Sequence, residues 1–189
     1  MSSAMRVVSV NVAVARPVFW HDRTVRTGIY KAPVTERVHI RSLGLVGDEQ
    51  ADLEVHGGPL KAVYVYPSEH YAFWRDELPG MELSWGAFGE NLTLSGVSED
   101  GVRVGDRYRI GTALLAATKP RFPCYKLGIK FGREDIIPRF LASGRTGFYL
   151  RVLQEGDVGA GDPVEALGGG EGQERITDLV AARQQAGEA

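Results

Sequence analysis

Apolar residues recur with a period of two in several short stretches of the 189-residue chain. Val8, Val10, Val12 and Val14 alternate with Ser9, Asn11 and Ala13 inside an apolar stretch from Val7 to Ala15. Successive side chains of a strand point to opposite faces, so this alternation predicts a strand with one buried face. Ala13-Val14-Ala15 mimics a signal-peptide cleavage site, but Ser9 and Asn11 interrupt the stretch and favour the strand. Val38 and Ile40 alternate with charged neighbours, and Lys61 to Tyr66 is a β-branched and aromatic run that Lys61 opens. Asn91 to Leu94, Arg107 to Ile110, Thr112 to Thr118 and Phe148 to Leu153 continue the series, with turns expected at Gly105-Asp106 and Gly161-Asp162. Many short strands at close spacing predict a mainly β fold, a barrel or sandwich with a few short helices. No β–α alternation, G-x-G-x-x-G or P-loop appears.

Helical spacing is rarer. Ser68 is a candidate N-cap for a helix that places Tyr71, Trp74 and Leu78 on one face and stops at Pro79-Gly80. Cys124 to Phe131 and Glu134 to Leu141 are two further short candidates, the second strained by Pro138. Gly168-Gly169-Gly170 reads as a flexible break. The organisation expected is one β domain over 1–167, a Gly-rich linker over 168–172 and a tail over 173–189. Ile176, Leu179 and Val180 leave that tail open between a short amphipathic helix and a frayed end.

Charge and cysteine content narrow the function classes. A net charge of -2 gives no basic excess for general nucleic-acid binding. No uninterrupted apolar run is long enough to span a bilayer, so no membrane association is expected. One cysteine excludes an intramolecular disulfide and a Cys-rich zinc or iron–sulfur site, and the cytoplasm is the expected compartment.

That cysteine lies in Lys119-Pro120-Arg121-Phe122-Pro123-Cys124-Tyr125-Lys126. The two prolines favour a preset, extended loop. Lys119, Arg121 and Lys126 surround the sulfur with positive charge, which stabilises the thiolate that attacks electrophiles or ligates soft metals. Local chemistry alone leaves Cys124 open between this role and that of a small buried hydrophobe. His56 beside Gly57 and Gly58 has freedom to approach a ligand, and a Gly-rich turn followed by Lys61 can receive an anion; a polar hairpin is the plainer reading. Asp48, Asp52 and Glu54 read as a solvated acidic loop more than as a carboxylate metal site. Glu90 and Asn91 can bind polar ligand groups or hold a loop, and Arg145, between two glycines, can grip a phosphate or pair with a surface acid.

Taken in order, these segments resemble the MOSC family, and its YiiM-like branch in particular. The features run across roughly Val7 to Leu167. They comprise Gly47-Asp48-Glu49-Gln50, Asp52 with His56-Gly57-Gly58 and Lys61-Ala62, and Val63-Tyr64-Val65-Tyr66. Gly89-Glu90-Asn91-Leu92, Gly105-Asp106, Arg121-Phe122-Pro123-Cys124 and Ser143-Gly144-Arg145-Thr146-Gly147 complete them. The resemblance implies a MOSC-type β-barrel that binds the molybdenum cofactor (molybdopterin), with Cys124 as metal ligand. It implies reduction of N-hydroxylated compounds such as hydroxylaminopurines. With no flavin, haem or iron–sulfur motif present, a separate redox partner protein would supply electrons. Within that picture Lys61, Arg121, Lys126, Arg145 and the Gly57-Gly58 turn are candidates for the anionic phosphate and pterin. Glu90 and Asn91 are candidates for the pterin edge, and His56 for a proton relay beside Cys124. Two alternatives stay open: a sulfur carrier holding a Cys124 persulfide, and a non-catalytic cofactor-binding module. The oligomeric state is undetermined by sequence.

Overall fold

Strands dominate the chain because most of its apolar runs are short, rich in β-branched residues and bounded by glycine turns. The structure, a computed structural model, describes residues 4–51 and 57–187; His56 and Asp52 therefore lie outside the described residues. In chain order the elements are β1 (Arg6–Val12), β2 (Arg16–Trp20), β3 (Arg23–Thr27), β4 (Ala32–Val34), β5 (Val38–Arg41), β6 (Gly44–Leu45), β7 (Val63–Pro67) and α1 (His70–Glu77). They continue with β8 (Leu92–Ser95), β9 (Arg107–Ile110), β10 (Ala113–Pro120), α2 (Tyr125–Phe131), α3 (Ile136–Ala142), β11 (Phe148–Gln154), β12 (Gly156–Val158), β13 (Val164–Gly168) and α4 (Ile176–Gln185).

One eight-stranded sheet runs in the order β13-β9-β10-β11-β7-β8-β1-β4, parallel only between β7 and β8. It curls until the turn before β13 meets β1: the Val7 amide donates to Asp162 and the Gly161 amide to Val7. The contact stays a single bridge, Arg6 to Pro163, and proline has no N–H with which to extend a ladder. The edges β13 and β4 therefore remain unjoined, and the expected barrel is an open, curled sheet. A three-stranded sheet, β12-β5-β6, and a separate β2–β3 hairpin complete the strands.

The β1 strand forms where the valines predict it, but not with their phase. A bulge between Val7 and Ser9 shifts the register against β8, and an inserted residue reverses which side chains face inward. Val7 and Val10 are buried, while Val14 is exposed. β7 explains its own continuous apolar run, since all five of its residues are buried. Val63 and Val65 join the core inside the curled sheet, and Tyr64 and Tyr66 pack into a second, aromatic core with Trp74, Phe88 and Phe140. There the Tyr66 and Phe88 rings stack at 4.6 Å, and the Trp74 indole donates to the Tyr66 hydroxyl. Lys61 does not open this strand; it closes a 3-10 turn, Pro59–Lys61.

Helix α1 buries Tyr71 and Trp74 as its spacing predicts, but its N-cap is Glu69 rather than Ser68. The Ser68 hydroxyl is turned to the Glu69 carboxylate. Pro138 is the third residue of α3, where its missing N–H has no intrahelical partner to lose, so it strains nothing. The tail resolves as helix: Ile176 sits in the main core, and the Gln184 amide donates to the Leu141 carbonyl. The triple glycine before it is a fitted turn, with the Gly170 amide on Asp106 and no room for a Cβ against the Val104 carbonyl at 2.8 Å. No helix among the described residues is long and apolar enough to cross a membrane.

Candidate active site

β10 delivers the cysteine loop. The loop leaves the sheet at Pro120 and is tied to the next turn by the Arg121 amide, which donates to Gly147. Cys124 is extended (φ -131°, ψ 172°) and becomes the N-cap of α2, half-buried. Its carbonyl accepts from the Leu127 amide. The expectation of a preset loop feeding a short helix thus has a physical basis: prolines on the strand side, helix on the other.

Cys124 borders a cleft of about 110 Å³. Arg121, Phe122, Lys126 and Tyr149 share its wall with the thiol. Lys61 and Tyr64 come from the turn before β7 and from β7 itself, and Gly89 and Asn91 from the approach to β8. The facing wall is built from Thr27 to Ile29, Lys31 and Asp48 to Ala51. Among the described lining residues, four cations, Lys31, Lys61, Arg121 and Lys126, face two carboxylates, Asp48 and Glu49. Both carboxylates are engaged. Asp48 forms a buried pair with Lys31 and also accepts from the Ala13 and Asn91 amides; Glu49 accepts from the Ala15 amide and Arg26.

Arg121 is the central cation. Its side chain is 6% exposed, and its guanidinium lies 5.3 Å from the Tyr64 ring centre and 5.2 Å from that of Phe140. One terminal nitrogen, Nη1, is buried with no hydrogen-bond partner among the described residues. Burial works to lower its pKa, but Tyr64, Tyr149 and Cys124 raise it further, and the net shift is upward. The guanidinium therefore stays charged. Burial raises the Tyr149 pKa, against a lowering effect of Arg121, so its hydroxyl keeps its proton at neutral pH. Gln50 Oε1, at the same cleft, is a second buried atom without a partner among the described residues. An orphaned donor and an orphaned acceptor in one cleft are what a polar ligand would satisfy.

Cys124, Lys61, Asn91, Arg121 and Lys126 come together here from three separate segments. The Asn91 amide is already spent on structure, accepting from the Tyr64 amide and donating to Asp48. Glu90 lies beneath the cleft, fully buried. It accepts from the Tyr71 and Thr93 hydroxyls and the Gly86 and Phe88 amides. Arg145 places its guanidinium 4.0 Å over the Phe73 ring and donates to the Ser143 carbonyl, away from the cleft. Gly58 supplies a positive φ of 89° for the turn before β7; neither it nor Gly57 is among the described lining. His56 is outside the described residues. Sequence reasoning left out Lys31, Gln50, Tyr64 and Tyr149. Lys31, Tyr64 and Tyr149 sit in no polar motif, Gln50 is the uncharged last residue of the Gly47-Asp48-Glu49-Gln50 turn, and the fold of the 27–50 segment against β7 and β11 brings all four to the cleft.

The MOSC domain family model matches residues 52–165. The chain belongs to the MOSC family. It is 44% identical over 165 residues to the uncharacterized protein YflK of Bacillus subtilis, covering 87% of this chain and 74% of YflK. The crystal structure of YiiM from Geobacillus stearothermophilus superimposes with a TM-score of 0.79 at 36% identity, over 98% of this chain and 86% of that one. A Gibberella moniliformis protein named reductase is 36% identical over 146 residues, which is 76% of this chain but 26% of that longer protein. As a MOSC protein, the chain draws Cys124, Arg121 and Lys126 from inside the matched segment. Lys31, Asp48 and Gln50 come from loops before it. The cleft is therefore a joint product of the MOSC segment and the N-terminal segment packed on it.

Proposed function

We propose that this MOSC protein binds the molybdenum cofactor at Cys124 and, with electrons from an external donor, reduces N-hydroxylated compounds. The observation that carries the reading is the buried, charged Arg121 on the same cleft wall as the thiol, with Nη1 unpartnered among the described residues. Such a site suits an anionic ligand that also carries N–H donors for Gln50 Oε1. Bound there, the cofactor would supply a soft, redox-active metal whose coordination one thiolate completes.

The residues of the chain have separable tasks in this reading. Cys124 would hold the metal through its sulfur, with the positive charge of Arg121 and Lys126 on the same wall of the cleft. Lys61 and Lys126 would balance the negative charge of the ligand, and the Tyr149 hydroxyl can donate a hydrogen bond because it stays protonated. Reduction of R–NHOH takes two electrons and two protons and yields R–NH2 and water. The similarity to a fungal protein named reductase, most of whose length lies outside the match, agrees with electrons arriving from elsewhere.

Metal analysis of protein made in a host that synthesises the cofactor tests the proposal, alongside assay with a hydroxylaminopurine and a chemical reductant. Wild type should carry molybdenum and turn over, and Cys124→Ser should do neither. Molybdenum content equal in both would sink the reading. A cysteine-dependent gain of one sulfur by mass after exposure to a desulfurase, with no molybdenum, would instead support the sulfur carrier.

A further inference from the structure

Next to the cleft lies a shallow groove that the proposed chemistry does not use. It is lined by Arg23, Thr24, Val25 and Arg26 of the β2–β3 hairpin together with Ala51, Tyr125 and Lys126. Ala51 and Lys126 also line the Cys124 cleft, so the groove opens onto the mouth of that cleft. Arg23 and Arg26 are exposed, and the Arg23 guanidinium stands 5.2 Å over the ring of the half-exposed Tyr125. Arg16, also exposed, stacks 4.2 Å over Tyr30 at the base of the same hairpin. Among the described residues the nearby acids are Glu49, which pairs with Arg26 at 3.3 Å, Glu134, which pairs with His21 at 3.0 Å, and Asp22 in the hairpin turn. On a chain of net charge -2 this is a local excess of cations.

Two further features mark the hairpin as more than a strand pair. Its turn residues, His21 and Asp22, both have positive φ (46° and 60°) where glycine is the usual occupant. Phe19 is 71% exposed and pairs across the hairpin with Thr24, so it flanks the groove on the Thr24 and Arg26 face. An exposed aromatic on a hairpin that also carries exposed arginines is the composition of a protein-docking patch.

We infer that this groove and hairpin dock an acidic electron-carrier protein over the mouth of the Cys124 cleft. The inference rests on the reductase reading, because a donor must reach the cleft mouth, where this face adds cations and the exposed Phe19. The charge pattern selects the partner: a carrier with a carboxylate-rich face is steered to it, and a basic one is repelled.

The test separates docking from chemistry. Binding of an acidic two-iron ferredoxin to the cofactor-loaded protein is measured by calorimetry at low and at physiological ionic strength. Arg23→Glu, Arg23→Glu/Arg26→Gln and, as an off-groove control, Arg109→Glu on β9 are compared with wild type. Thermal unfolding confirms that each is folded. Affinity should fall about ten-fold or more in both groove variants and with added salt, and stay unchanged in the control. Turnover driven by reduced methyl viologen, which needs no docked protein, should be the same in wild type and groove variants. Ferredoxin binding that is absent, salt-independent or equal in all variants overturns the inference. So does tighter binding of a single-stranded oligonucleotide lost in the same variants, which would assign the groove to nucleic acid. If viologen supports no turnover while groove-dependent ferredoxin binding persists, the reductase reading fails and the docking surface stands.

Discussion

Replacing Glu90 by alanine removes the one acceptor shared by four buried donors, the Tyr71 and Thr93 hydroxyls and the Gly86 and Phe88 amides. Each buried donor left without a partner costs about 1–3 kcal/mol, so four at the low end amount to about 4 kcal/mol. That is a large share of the roughly 5–15 kcal/mol that holds a natural domain together. At about 2–4 °C per kcal/mol for a chain of this size, the melting temperature should drop by roughly 8–16 °C. Glu90→Gln is the informative companion. Its Oε1 retains three of the donors and only the Phe88 amide, now facing an NH2 group, is lost. It also removes a titration. Burial raises the Glu90 pKa above its ordinary 4.5, against lowering by Tyr71 and the Gly86 amide. A carboxyl whose folded pKa is raised contributes stability that is full below the unfolded value and lost as pH rises through the folded one. The stability deficit of Glu90→Gln relative to wild type should therefore be largest in acid and shrink as pH rises. Urea unfolding followed by circular dichroism across pH reads both effects. A Glu90→Ala protein within about 1 kcal/mol of wild type would refute the argument, as would a pH-independent deficit for Glu90→Gln.

Asp48→Ala should cost about 3–5 kcal/mol in the same assay, because it strands the buried Lys31 ammonium without its counter-charge. Gly147→Ala should cost well over about 1 kcal/mol: φ is +65°, and a Cβ there would stand 2.3 Å from the Val65 carbonyl oxygen. Cys124→Ser should change stability by less than about 1 kcal/mol, since the thiol is only half-buried, while molybdenum content falls to background.

The fold was legible where one physical rule governs a segment. β9 spans the predicted Arg107 to Ile110, and α1 buries the predicted aromatic face, because alternation and helical spacing act locally. It was illegible where a neighbour decides. The bulge in β1 comes from its pairing with β8, so the valine phase misreads which residues are inside. The C-terminal helix is too short to hold itself. It is fixed by Ile176 entering a core made of distant strands, which no window of its own sequence contains.

The site divides along the same line. Cys124, Arg121 and Lys126 are neighbours in sequence, so their shared electrostatics is visible in one octapeptide. The other half of the cleft was hidden because its residues look ordinary: a lysine before a short edge strand, a glutamine in an acidic turn, two tyrosines in apolar strands. Glu90 shows the converse. It adjoins Asn91 in a conspicuous polar pair, yet on the approach to β8 Asn91 lines the cleft while Glu90 is buried against the loop beneath it. A motif therefore identifies a place in the fold, while the side of the backbone decides which of its residues meets a ligand. For Arg121 the consequence is specific. On a solvated loop its charge would be screened, whereas the rings of Tyr64 and Phe140 remove water from one side of the guanidinium, so a ligand in the cleft would meet that charge at fuller strength.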